Sequence, residues 1–181
     1  MEETTAEFLG SSCIRTVSGA LVDPFNPDPS MLRIEDIAHA LARIPRFGGH
    51  TYFPWSVAQH SLAGAALVPD EHKLAFLLHD SSEAYLLDVP KPIKKRLPEY
   101  MAVEERLMTV LASRFEFEYP FHDSIKEADQ HMLLTERQQF LLQQPNEATY
   151  YVVQPWLNRH EEWIRRDYIR EFKHYQTLIS R

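Results

Sequence analysis

One cysteine, Cys13, stands in a chain of 181 residues, and a lone thiol excludes an internal disulfide framework. No apolar run is long enough to span a bilayer. The start, MEETTAEFLG, is acidic where a secretion signal would be basic and then apolar, so a reducing, cytoplasmic setting without a membrane partner is expected. Basic residues are scarce as well: 19 Lys and Arg against 26 Asp and Glu leave a net charge of −7. Non-specific binding to duplex nucleic acid needs clustered cations, so duplex nucleic acid is not an expected partner either. Repeats and low-complexity linkers are missing, and the length suits one domain, 1–181, with a substantial core.

What is present is helical patterning. Residues 16–29 (TVSGALVDPFNPDP) hold a glycine turn, a short β-like run and a Pro-rich connection, which predicts a nonhelical lead-in or small hairpin within 1–30. Ile34, Ile37, Ala38, Leu41 and Ile44 then recur at helical spacing up to Pro45. A helix should follow Pro54, with Ser56 near its cap, and stop by Pro69. Further helices are predicted over 71–87, from Pro98 through Leu111, over 124–142 and over 158–179, with Pro90 and Pro92 forcing a rigid extended turn. The expected fold is all-α, a compact bundle of about six helices.

Two residues inside this pattern carry chemistry. His79 and Asp80 sit in LAFLLHDSSEAYLL, an apolar run that reads as a largely buried helix. A buried carboxylate needs a partner. A divalent metal is the simplest one for an adjacent imidazole and carboxylate, because its charge offsets the desolvation of the Asp and keeps the His neutral and ligating. His60, in PWSVAQHSLAGAAL, and Asp129, beside the stripe of Ile125, Ala128, Met132 and Leu133, offer further ligands from separate helices. An isolated His60 would read as a core histidine, and Glu127 and Asp123 compete with Asp129. Two His and two Asp suit a mixed nitrogen and oxygen site with open positions for water and substrate.

The order H, then HD, then D, each on its own helix, resembles the HD superfamily of metal-dependent phosphohydrolases. HDSSEAYLLDVPKPIK is similar to the HD-x-x-E-x-x-x-x-D-x-P-x-P-x-K run of the small bacterial and phage 5'-deoxynucleotidases and deoxynucleoside triphosphate phosphohydrolases. RFGGH, ending ten residues before His60, resembles the R-[FY]-x-G-H of the same branch. The resemblance implies a metal-site helical core over 31–142, ahead of a C-terminal loop and helix over 143–181. It also implies a divalent ion (Zn, Co, Mn or Mg) on His60, His79, Asp80 and Asp129, a small-molecule nucleotide substrate, and a homo-oligomer.

Roles follow residue by residue. Glu83 alone reads as an exposed helix glutamate, but it matches the family's catalytic Glu, a general acid/base acting with the ligand Asp80. Asp88 ends the helix where its charge opposes the helix dipole, and it matches the Asp that accepts a hydrogen bond from the sugar hydroxyl; capping of the next turn is the alternative. Arg46 suits bidentate phosphate recognition, and Phe47 stands where the family's bulky aromatic crowds out a ribose 2'-hydroxyl. His50, in the turn before His60, Lys91 and Lys94 near the phosphate tail, and Pro92 at the base pocket complete the substrate-binding set. The implied reaction is removal of triphosphate from a dATP-like substrate, with 5'-deoxynucleotidase action on monophosphates as the alternative. A third possibility is a catalytically weak regulatory module that binds a nucleotide.

Overall fold

The computed structural model describes residues 12–144 and 147–179. Ile14–Arg15 (β1) and Leu21–Val22 (β2) pair antiparallel around Gly19, whose φ of 84° lies in the left-handed region. The hairpin is the one the glycine turn predicts; residues 1–11 of the lead-in lie outside the described residues. Asp36, buried in the first helix, fastens it to the bundle by accepting from Thr16 Oγ1 (2.8 Å), Ser18 N (2.9 Å) and Ser18 Oγ (2.7 Å).

The rest is all-α. Helix α1 (Ile34–Leu41) buries Ile34, Ile37, Ala38 and Leu41 and stops before Ile44. Pro45 then bridges to Ser56, closing the intervening loop at its neck. Helix α2 (Val57–Gly64) starts as predicted, with a capping box in which Ser56 Oγ accepts from Gln59 N and Gln59 Oε1 accepts from Ser56 N. Every residue of α2 is buried. It is a central helix, apolar all round except for the groups it delivers.

The helix expected over 71–87 is broken. Helix α3 (Lys73–Leu78) ends at His79, and α4 (Glu83–Leu86) resumes after a turn. Ser81 N reaches Leu78 O, Glu83 N reaches Asp80 O and Tyr85 N reaches Ser82 O, all bonds to the third residue back. Asp80, Ser81 and Ser82 are poor helix formers whose side chains compete for backbone groups, so the polar insert tightens the chain just after His79. The rigid extended Pro turn is also shorter than predicted. Pro90 is extended, but Pro92 falls in the first turn of a short helix α5 (Lys91–Lys94), where a missing N–H costs nothing.

Helix α6 (Pro98–Phe115) opens on its proline as expected. Helix α7 (Asp123–Glu136) runs into a π-helical turn, Arg137–Leu141. The C-terminal segment holds a helix the sequence does not announce, α8 (Glu147–Val153), before α9 (Glu161–Ile179). Helix α2 packs against α1, α3, α7, α8 and α9, and α9 is tied to α3 by the Tyr168 hydroxyl donating to Leu77 O at 2.6 Å. Among the described residues no helix is long and apolar enough to cross a membrane.

Close packing around α2 yields a direct test. A Cβ on Gly64 would lie 2.3 Å from Phe76 Cε1 and Cζ and 3.0 Å from Met132 Cγ. Gly64→Ala therefore lowers stability by about 1 to 3 kcal/mol in denaturant unfolding, because overpacking outweighs the roughly 1 kcal/mol gained in helix propensity. A rise in the unfolding midpoint would show that this contact does not limit the core.

Candidate metal centre

Three helices deliver the central groups. His60 lies in α2 with no exposed surface, His79 caps α3, and Asp129 rides α7. The two Nε2 atoms are 3.3 Å apart, and Asp129 Oδ1 is 3.2 Å from His60 Nε2 and 3.7 Å from His79 Nε2. Donor atoms of these three residues all fall within 4.8 Å of one another, a group that could hold a metal ion. Asp80 borders the group: its Oδ2 lies 3.3 Å from His79 Nε2 and 3.8 Å from His60 Nε2, while Arg46 Nη1 approaches it at 3.5 Å. Bonds of about 2.1 Å to one ion place neighbouring ligand atoms about 3.0 to 3.4 Å apart, close to the spacing seen here.

The tautomers sharpen this fit. His79 Nδ1 lies 2.6 Å from the Phe76 carbonyl, which only accepts, so that nitrogen carries the proton. His60 Nδ1 lies 2.7 Å from Glu136 Oε1. Glu136 is fully buried, yet His60, Arg46 and the Trp55 N–H hold its carboxyl down at about 2, so it too acts as an acceptor. Both Nε2 atoms therefore turn lone pairs toward a shared point, and two lone pairs with a carboxylate require a cation between them. In the absence of a metal a proton takes that part. Burial and Arg46 oppose it, but Glu136 and Asp129 prevail and raise His60 to about 9. The Asp129 carboxyl, penalised by burial, is nevertheless held far below its ordinary range by the two histidines.

The surrounding charges have the same sense. Asp80 and Glu136 face the guanidinium of Arg46 and Asp129 adds a third carboxylate at the histidines, an excess of negative charge that suits a divalent ion. Next to them Glu83 is buried, with Oε2 lacking a hydrogen-bond partner and Oε1 3.9 Å from Lys94 Nζ. Burial, then Asp80 and Asp88, push its carboxyl well above the ordinary range. Burial raises Asp88 as well, with Arg46 opposing.

The substrate-binding candidates are placed unevenly. Arg46 is buried and engaged, with Nη2 3.0 Å from Glu136 Oε2 and Nη1 on Asp80, rather than extended as a free phosphate arm. Phe47 lies against its guanidinium (5.5 Å to the ring centroid) at a φ of 56°, and Gly48 and Gly49 continue the left-handed turn that only glycines follow cheaply. His50 ends that turn, exposed. Asp88 is half-buried and follows Leu87, whose φ of 68° and ψ of 158° belong to a region almost reserved for glycine. The Tyr100 hydroxyl bridges that turn, 2.9 Å from Leu87 O and 3.2 Å from Leu86 O. Lys91 and Pro92 are exposed, and Lys94 pairs with Glu104 at 2.6 Å. Open cavities of about 620 and 630 Å³ lie beside Tyr52 and Trp55 and beside Phe53 and Phe140; neither is lined by the histidines or Asp129.

Glu136 and Trp55 are the residues that the sequence reading missed. Trp55 Nε1 donates to Glu136 Oε1 at 2.7 Å. The available signal was periodicity: Glu136 stands two turns after Asp129 on α7, hence on the same face.

Comparison with known proteins places the chain. It is 40% identical over 128 residues to the uncharacterized protein YfdR of Escherichia coli K12, a match spanning 70% of this chain and 71% of that one. The chain belongs to the YfdR family. A second uncharacterized protein, from Rhodobacter capsulatus, is 36% identical over 111 residues, spanning 56% of this chain and 57% of its own length. No family model matches the sequence. The aligned proteins bring no named activity, so the chemistry of this YfdR relative rests on its own side chains.

Glu83 gives the electrostatic test. A carboxyl whose folded pKa is raised contributes stability that is complete below its unfolded value, about 4.3, and is lost as pH rises through the folded value. Glu83→Gln removes that loss. In metal-free protein the variant should melt at or near the wild-type temperature at pH 4 and progressively above it from pH 5 to 8. A variant that melts lower across that range would mean that Glu83 is ionised and paired in the folded protein.

Proposed function

We propose that the protein is a divalent-metal-dependent phosphohydrolase of the HD type acting on deoxynucleotides. The reaction favoured is hydrolysis of a deoxynucleoside triphosphate, dATP-like, at the ester linking the 5'-oxygen to phosphorus. Water adds to phosphorus, the P–O bond breaks, and the nucleoside and triphosphate leave. The observation that carries the reading is the convergence of His60, His79 and Asp129 from three helices beside Asp80 and a buried Glu83 whose Oε2 has no hydrogen-bond partner. A buried carboxyl with a raised pKa beside such a cluster is what a general acid needs.

A bound divalent ion supplies positive charge for the phosphoryl oxygens and makes water more acidic. His60 and His79 hold their Nε2 lone pairs toward it by donating Nδ1–H to Glu136 and to Phe76 O. Asp80 and Asp129 contribute negative charge beside the two imidazoles. Glu83 keeps a proton where a leaving 5'-oxygen can take it, and burial among Asp80 and Asp88 is what keeps that proton in place. Asp88 is turned by the strained Leu87 backbone toward the same cluster of charges, the position proposed for holding the sugar 3'-hydroxyl. Arg46 presents Phe47 from the loop whose neck is the Pro45–Ser56 bridge. In this reading Lys91 and Lys94 stand for the phosphate tail.

The test is a panel of dNTPs, dNMPs and ribonucleotides with Mn, Co, Mg or Zn, read for nucleoside, phosphate and triphosphate. Release of triphosphate from dNTPs is expected, and phosphate released only from dNMPs would assign the 5'-deoxynucleotidase alternative. His79→Ala and Asp80→Asn should lose both turnover and metal. Glu83→Gln should keep the metal and lose at least about 100-fold in kcat, the usual scale for a missing general acid. Nucleotide binding without turnover under every metal would overturn the enzyme reading in favour of a regulatory module.

A further inference from the structure

We propose that Glu136 is the positioning residue of this centre: its carboxylate fixes His60 in the orientation that presents Nε2, and through Arg46 it ties ion affinity to the Arg46–Phe47 loop. The proposal rests on the reading of the cluster as a metal site.

Each part is visible in the network. Glu136 has no exposed surface, and its two oxygens are divided between tasks. Oε1 accepts from His60 Nδ1 and from Trp55 Nε1, both at 2.7 Å. Oε2 accepts from Arg46 Nη2 at 3.0 Å. An ionised carboxylate only accepts, so His60 is held with its proton on Nδ1 and cannot rotate the ring without abandoning a buried charge. The Trp55 N–H is a further donor to Oε1, from an indole that is 1% exposed and packs on Phe140 at 4.8 Å between centroids, while the His60 and Arg46 bonds hold the carboxylate at both oxygens. Arg46 carries the coupling outward: its other terminal nitrogen faces Asp80, and its guanidinium lies against Phe47. A change at the loop is therefore felt at one histidine and at one aspartate of the cluster. Asp129 and Glu136 leave the same helix two turns apart, so α7 brings both a group for the ion and the group that orients its neighbour.

The division between the two oxygens makes the parts separable. In Glu136→Gln the amide oxygen can replace Oε1 for His60 and Trp55, while the amide nitrogen meets Arg46 donor to donor, so the link to the loop is broken and the histidine is still held. Glu136→Ala removes both. Trp55→Phe is the control for structure, because it deletes a donor to Glu136 without touching the His60 or Arg46 bonds.

The experiment titrates Co(II) and Zn(II) into wild-type protein and the three variants against a chromophoric chelator, and follows the hydrogen-bonded His60 Nδ1–H, which both the neutral and the protonated ring would donate to Glu136, by 1H–15N NMR of metal-free protein. We expect Glu136→Ala to bind about 10- to 100-fold more weakly and to lose the low-field Nδ1–H resonance. Glu136→Gln should keep that resonance and bind more weakly by a smaller factor. Trp55→Phe should unfold more easily yet bind within about 3-fold of wild type. Should the alanine variant fail to fold, Glu136→Gln and Trp55→Phe still decide the matter: equal losses in both would make the effect a general loosening and overturn the proposal. Wild-type affinity and an unchanged Nδ1–H resonance in Glu136→Ala would also overturn it, leaving the metal site standing. A wild type that holds neither ion would overturn the reading of the centre itself.

Discussion

Two imidazole lone pairs aimed at one point, 3.3 Å apart, are the constraint on which the rest of the centre depends. Neither ring can turn away from it. His79 is pinned by the Phe76 carbonyl one turn back on its own chain, and His60 is pinned by a carboxylate from another helix. A cation between the two nitrogens resolves the repulsion, and the carboxylates of Asp129 and Asp80 stand where they reward its presence. The fold exists around this point: α2 is buried along its whole length because it must reach the middle of the bundle to deliver His60.

The same electrostatics separates the acidic groups into two roles. Glu136, with three donors, has its carboxyl pushed down despite complete burial, whereas that of Glu83, also buried but beside Asp80 and Asp88, is pushed well up. Environment, not residue type, separates the two glutamates. Strain is placed between them. The Leu87 backbone adopts a conformation that costs roughly 1 to 3 kcal/mol, and Tyr100 clasps the turn from α6 so that Asp88 does not swing outward.

How much of this could be read in the sequence depends on the range of the interaction. Local patterns were legible: the Ser56 cap, the Pro98 start, the Gly19 hairpin and the apolar stripe of α1 all follow from neighbours in the chain. His60, His79 and Asp129 were legible as a set because polar groups beside separate apolar stripes point to a common partner. The break after α3 was hidden, since the apolar residues on either side of HDSS keep helical spacing and only the poor helix formers between them hint at a turn. Helix α8 was hidden as well, its aromatic and β-branched run giving little helical signal. Arg46 was read as a residue for phosphate recognition, and nothing in RFGGH announces that a glutamate ninety residues away also pairs with it. Glu136 is the other half of that pair: a long-range ion pair leaves no mark in either local sequence.

The central claim, that both histidine Nε2 atoms bind one ion, is tested most directly by X-ray absorption at the metal edge of Co(II)- or Zn(II)-loaded wild-type protein. The account predicts bond lengths of about 2.0 to 2.2 Å and the multiple-scattering signature of two imidazoles on a single metal. A coordination shell of oxygen ligands without imidazole scattering would place the ion elsewhere and contradict it.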